Sequence, residues 1–192
     1  GLGDVYKRQD NMKPLYMIGC INEIGERQKA DNVSGLLGET GFREYMDQQD
    51  TPLETGYLLR IGIDHFKEIN DNFGQEYGDF VLKKTAECIS GCTSEGQKVY
   101  KLVADEFLIL DVSSDKVRDA EKLYNKMREE IGRFIEANEF KVMYTVSGGI
   151  VPFGTLGGDQ YSEALKLTDF ALNEAKKLGR NRCYIYLSLI HI

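Results

Sequence analysis

The sequence predicts an α/β (α+β) sandwich, a central mixed and largely antiparallel sheet flanked by helices. Three observations carry this. Apolar residues alternate with period two in short runs, they recur at spacings of three and four in longer ones, and two β-rich runs lie close enough together to form a hairpin. With 192 residues, 42% of them hydrophobic and 29% charged, the chain suits one soluble domain with a fragment of a neighbour.

Leu15 to Ile21 has the apolar character of a strand, and the charged run Glu26 to Lys29 leads through a linker to Asp31–Gly35. Phe42, Tyr45 and Met46 share a face of a short helix over Thr40 to Gln48, which the Thr51–Pro52 break ends. Tyr57, Leu59, Ile61 and Ile63 then alternate with Leu58, Arg60, Gly62 and Asp64, a strand whose second face carries Gly62 and Asp64. A helix from about Phe66 is expected to break near Gly74 and to resume at Gly78. Its second part presents Val81, Leu82, Thr85, Cys88 and Ile89 on one face.

Gln97 to Val103 and Glu106 to Asp111 read as a hairpin with Ala104 and Asp105 at its tip. Val117, Ala120, Tyr124, Met127, Ile131 and Phe134 make a long helical face, and Val142, Tyr144 and Val146 alternate as a strand before Gly148–Gly149. Ala164, Leu167, Phe170, Ala171 and Ala175 form a last helix, closed by Gly179, and Cys183 to Tyr186 returns as a strand. No internal repeat is present.

Composition excludes several classes of function. A net charge of −7 without a basic cluster argues against DNA or RNA as a partner, and no apolar run approaches the roughly 20 residues of a membrane span. Cys20, Cys88, Cys92 and Cys183 form no CxxC pair, so neither zinc nor a disulfide framework is expected and a reducing cytoplasm fits best. Cys88 and Cys92 read as small buried side chains.

The two ends are related through DNA. Codons GAT GTG TAT AAG AGA CAG encode Asp4–Gln9, and their reverse complement encodes Leu187–Ile192. The pair resembles the transposon end used in sequencing libraries. Residues 1–9 and 187–192 are therefore expected to be adaptor translation, excluded from fold reasoning, with a natural protein continuing past both. Without His191, His65 is the sole histidine, which removes Ser/His/Asp and multi-histidine metal mechanisms. His65 reads as structural.

Four stretches in order resemble the GGDEF domain, the family of diguanylate cyclases: Asp31-Asn32-Val33-Ser34-Gly35-Leu36, Ile63-Asp64-His65-Phe66-Lys67-Glu68-Ile69-Asn70-Asp71 through Gly78-Asp79, Lys101-Leu102-Val103-Ala104-Asp105-Glu106-Phe107, and Ala175-Lys176-Lys177-Leu178-Gly179-Arg180-Asn181. Residues 31–186 are thereby expected to be a GGDEF-like domain with the nucleotide-cyclase palm, and 10–30 the end of a PAS-like sensor domain with its linker helix.

The resemblance implies a dimer that joins two GTP into cyclic di-GMP with Mg2+ or Mn2+ at the phosphates. Carried over by position, it assigns the backbone carbonyl of Ile63 and the carboxylate of Asp105 as metal ligands, with Glu106 as ligand or proton acceptor. It assigns Asn70 and Asp79 to guanine, whose edge offers N–H donors to a carboxylate and an acceptor to an amide. Lys67, Lys176 and Arg180 are assigned to the phosphates, the last two being expected to share a helical face. Without the resemblance, Asp79 reads as a helix-capping acid and Lys176 and Arg180 as solvated cations at a helix end.

Two departures stand out. The family's metal-binding aspartate is Gly62, and its paired glycines are Val103 and Ala104, where a β-branched side chain resists left-handed backbone and close approach of a ligand. An inhibitory RxxD is absent, since Ser94 and Gln97 occupy its ends. A degenerate, GTP-binding regulatory domain of cyclic di-GMP signalling is therefore favoured over an active cyclase or a purely structural dimerisation module. The expected neighbours are the PAS-like domain and a downstream EAL phosphodiesterase domain.

Overall fold

The computed structural model describes residues 30–114, 116–138 and 140–187. The expected PAS-like strand at Leu15–Ile21, Cys20 and nearly all of both adaptor-like ends lie outside the described residues. In chain order the elements are β1 (Leu37–Gly38), α1 (Glu39–Asp47), β2 (Tyr57–Ile63), α2 (Phe66–Phe73), α3 (Gln75–Cys92), β3 (Gln97–Lys101), β4 (Glu106–Asp111), α4 (Val117–Ala137), β5 (Val146–Pro152), a 3-10 turn (Phe153–Thr155), α5 (Gln160–Lys177) and β6 (Cys183–Ile185). The sheet order is β1-β3-β4-β2-β5-β6, with antiparallel pairing across the four central strands and parallel pairing at both edges.

Every residue of β2 is buried, because helices cover both faces of the sheet. Tyr57, Leu59, Ile61 and Ile63 pack in one cluster with Val81 and Ile89 of α3 and Tyr124, Met127 and Ile131 of α4. Leu58, Leu108 and Leu110 point the other way, toward Phe42 of α1 and Ala164 of α5. Each fully buried Leu or Ile contributes about 1.5–3 kcal/mol, and the cluster under α3 and α4 is the larger of the two cores. Three cysteines among the described residues are free thiols, and burial pushes Cys88 up to about 11, which leaves it protonated and unreactive at neutral pH.

Several boundaries differ from the sequence reading. Helix α3 begins at Gln75, not Gly78, because Gly74 (φ +86°) alone supplies the break. Gly78 lies within the helix against Asn70, and a β carbon there would come 1.8 Å from Asn70 Oδ1. Asp79 is consequently inside α3 and does not cap it.

Strand β5 starts at Val146 and runs through Gly148–Gly149, whereas the chain from Lys141 to Thr145 is irregular. A β carbon on Gly149 would sit 2.4 Å from the Leu172 backbone nitrogen, so this glycine lets α5 lie directly on the sheet. The β3–β4 connection is longer than two residues, since Leu102 N–H donates to Glu106 O at 2.9 Å. The two-residue β1 follows the Asp31–Gly35 turn where only a linker was expected. Helix α5 ends at Lys177, so Arg180 leaves the helix and does not share a helical face with Lys176.

Candidate functional site

The ends of β2 and the β3–β4 turn meet on the α5 side of the sheet. Ile63 N–H donates to Asp105 O at 3.4 Å, and Gly62 pairs with Glu106 across the ladder. Burial pushes the Asp105 carboxyl above the ordinary range, the Lys176 ammonium opposes that, and Glu106 adds to it. Asp105 is half-buried, as expected of a group held at the base of a turn rather than at its tip.

The turn itself is held from below. Lys101 is buried and its ammonium donates to Leu102 O at 2.9 Å and to Ala104 O, while Asp31, Asp105 and Glu106 offset the burial that lowers its pKa. Ala104 takes the left-handed conformation (φ +51°), and Val103 does not. The strain expected of the valine therefore falls on the alanine, and Val103 projects outward, 66% exposed. Left-handed backbone costs an L-residue about 1–2 kcal/mol, so Ala104→Gly is expected to raise stability by up to about 1 kcal/mol after its greater unfolded-state entropy is counted. A urea midpoint at or below that of the parent would contradict it.

Glu106 is engaged by cations on two sides. Arg60 Nε donates to its Oε2 at 2.7 Å, with Arg60 Nη2 on the same oxygen, and Lys176 Nζ lies 3.9 Å from Oε1. Arg60 also donates to Leu165 O at 3.1 Å and lies 3.6 Å from Asp169. It sits two residues before Gly62 on the same strand face, so the alternation marks it as a cation in an otherwise apolar strand.

Lys176 reaches into the space at residue 62. A β carbon on Gly62 would stand 3.0 Å from Lys176 Nζ and 3.2 Å from Leu172 Cδ2. Nothing in the sequence announces this pairing, because the two residues are far apart in the chain and meet only when α5 lies on the sheet.

Asp64 is 2% exposed and fully engaged elsewhere: Thr145 Oγ1 donates to it at 2.6 Å, Ser147 Oγ at 2.7 Å and Asn181 N–H at 3.2 Å. It is not free to replace a carboxylate at 62. Hard cations take about six or more oxygen ligands, and here Gly62 offers no side chain while Glu106 is already engaged by Arg60 and Lys176. Among the described residues no group of three Asp, Glu, His or Cys converges in a way that could hold a metal ion. The residues present do not fit the divalent cations that the resemblance implies.

A second locus lies between α2 and α3. Asn70 of α2 packs against Gly78, and its Oδ1 is buried without a hydrogen-bond partner, a state that costs roughly 1–3 kcal/mol unless a donor arrives. Asp79 follows Gly78 on α3 and is half-buried. His65 holds the left-handed position before α2 (φ +59°) and meets Glu68 at 2.6 Å, which agrees with a structural role. Lys67 is exposed in the first turn of α2. Arg180, also left-handed (φ +61°), lines one surface depression with Lys166, Asp169, Lys176 and Lys177.

Residues 28–182 match the family described as "Diguanylate cyclase, GGDEF domain". The cyclic di-GMP phosphodiesterase NbdA of Pseudomonas aeruginosa is 29% identical over 171 residues, covering 85% of this chain and 21% of its own length. The diguanylate cyclase VdcA of Vibrio cholerae is 28% identical over 156 residues, 79% of this chain and 45% of that protein. Among solved structures, the S helix–GGDEF–EAL portion of Vibrio cholerae LapD, bound to c-di-GMP, superposes with a TM-score of 0.73 at 18% identity, over 92% of this chain and 41% of that one. That last likeness shows the fold alone, and the chain spans less than half the length of each of the three.

Proposed function

The chain belongs to the GGDEF family of diguanylate cyclase domains of cyclic di-GMP signalling, and from that premise we propose that it is a degenerate member, a GTP-binding regulatory module of a larger multidomain protein. The observation that carries this reading is Gly62 with Lys176 Nζ in the space beside it. Phosphoryl transfer in this family depends on divalent cations, and a missing ligand weakens interactions made mainly in the transition state. A loss of even ~4 kcal/mol there slows turnover by roughly a thousandfold.

The nucleotide-binding half of the site supports retained recognition. The Asn70 amide nitrogen would donate to the guanine carbonyl, and Asp79 would accept from the N–H donors of the same edge. Lys67, Lys176 and Arg180 would meet the phosphates, although Arg180 would do so from the loop after α5. Asp105 and Glu106 keep the family's acidic pair without competence for catalysis.

The regulatory role is supported by kinship of this region to part of a phosphodiesterase, NbdA. We place the domain in a homodimer between a PAS-like sensor and a catalytic neighbour such as an EAL domain. The expected setting is cytoplasmic, and no helix among the described residues is long and apolar enough to cross a membrane. The test is product detection from GTP with magnesium or manganese. No cyclic di-GMP at a useful rate is expected, and turnover near about 1 per second, an ordinary enzyme rate, would restore the cyclase reading.

A further inference from the structure

Two side chains on the floor of the site carry positive charge toward the same carboxylates. Arg60 binds one oxygen of Glu106, and Lys176 lies 3.9 Å from Glu106 Oε1 and occupies the space beside Gly62. With Asp105 beside them and Asp169 3.6 Å from Arg60, three carboxylates surround the two cations. Leu172 closes the remaining side of that volume at 3.2 Å from the position of a residue-62 β carbon.

We infer that the Lys176 ammonium, with the Arg60 guanidinium, takes the place of a divalent cation beside Asp105 and Glu106, so that this site holds a nucleotide triphosphate as the free anion and not as its metal complex. A dication entering the same volume would lie within a few ångströms of the ammonium. At such separations like charges repel by several kcal/mol even at an effective dielectric of about 20. The resemblance already places a phosphate lysine at 176, so the one change is the loss of the carboxylate at 62, and the ammonium occupies the space beside the glycine. Restoring aspartate at 62 alone would give Lys176 a third anion to pair with.

Phosphate charge would be met by side chains. Lys166, Lys176, Lys177 and Arg180 line one depression along α5, opposed there by Asp169, and Lys177 is shared with Glu174 at 2.7 Å. A lysine array of this kind binds phosphate as point charges, without the geometry a metal imposes on the two reacting groups.

The inference takes its ligand from the GTP-binding reading but not its cation, and the two can fail separately. Thermal unfolding of the full chain is measured with and without millimolar MnCl2, in the absence of nucleotide. The parent midpoint is expected not to move. Lys176→Met and Gly62→Asp/Lys176→Met, which free the acidic pair, are expected to be stabilised by manganese, since an ion that binds only the folded state raises the midpoint.

A manganese-dependent rise in the parent that Asp105→Asn abolishes would overturn the inference. So would indifference to manganese in both variants, because the ammonium would then not be what keeps the ion out. In a second arm GTP affinity is compared in magnesium and in EDTA. Equal affinity is expected, and a loss of about tenfold or more in EDTA contradicts the inference while leaving GTP binding intact. A chain that binds no GTP in either buffer refutes the GTP-binding reading and leaves the manganese comparison to decide the cation.

Discussion

Gly149→Val is expected to lower stability by about 3 kcal/mol or more, enough to leave much of the chain unfolded, since overpacking costs of this size are a large part of a domain's total. A β carbon at 149 would lie 2.4 Å from Leu172 N, 2.8 Å from Ala171 C and 2.8 Å from Thr168 O. All three are backbone atoms of α5, and a helix backbone has no rotamer to change. Relief would require the helix to lift from β5, which would open the cluster that Leu58, Phe153 and Ala164 share. Gly91→Ala is the matched control: it lies in α3 with nothing within 4 Å of an added β carbon, and it is expected to be neutral or to stabilise by up to about 1 kcal/mol. Urea denaturation of both variants checks this, and a Gly149→Val midpoint near that of the parent would mean that α5 does not rest on β5 as described.

Asp64→Ala is expected to cost about 3 kcal/mol or more. The carboxylate collects two hydroxyls and a main-chain N–H at the point where β2, the segment before β5 and the loop after α5 converge. Its removal leaves buried donors unsatisfied, at about 1–3 kcal/mol each. Asp64→Asn keeps an acceptor oxygen and is expected to lose less. The same engagement matters for chemistry, because Asp64 would have to abandon these partners in order to approach residue 62. Equal unfolding midpoints for Asp64→Ala and the parent would show that this junction does not hold the site together.

The central elements were legible because their signals are local. Alternation in Tyr57–Ile63 placed Arg60 and Gly62 on one face and the isoleucines on the other, and the spacing within Val117–Phe134 marked a helix that runs to Ala137. What escaped depends on close approach between distant segments. Gly148–Gly149 read as a strand end because paired glycines usually mark a turn, yet here they admit the Tyr124 ring on one face and the α5 backbone on the other. Gly78 read as the point where the helix resumes, and it lies inside α3, where it admits Asn70.

The site divides in the same way. Gly62, Asp105, Glu106, Asn70 and Asp79 are assigned from motif positions, and so is the altered tip, whose left-handed residue is Ala104 and not Val103. The reach of Lys176 into the space at residue 62 could not be read, because a lysine four residues short of an arginine looks like any helix end. Arg60 is the miss that sequence alone could have avoided: a cation within an otherwise apolar strand needs a buried anion, and the acidic pair was already in view.

Calorimetric titration of the purified chain with GTP and with ATP, repeated on Asp79→Ala, tests the central claim most directly. If the domain has kept guanine recognition while losing catalysis, GTP binds more tightly than ATP. Adenine would present an unprotonated ring nitrogen to the Asp79 carboxylate and an unfavourable edge to Asn70, and mismatches of this kind cost about 1–3 kcal/mol. Asp79→Ala is expected to erase the preference. Equal affinity for the two nucleotides, or no heat of binding for GTP, would contradict the account and make the domain a structural dimerisation module instead.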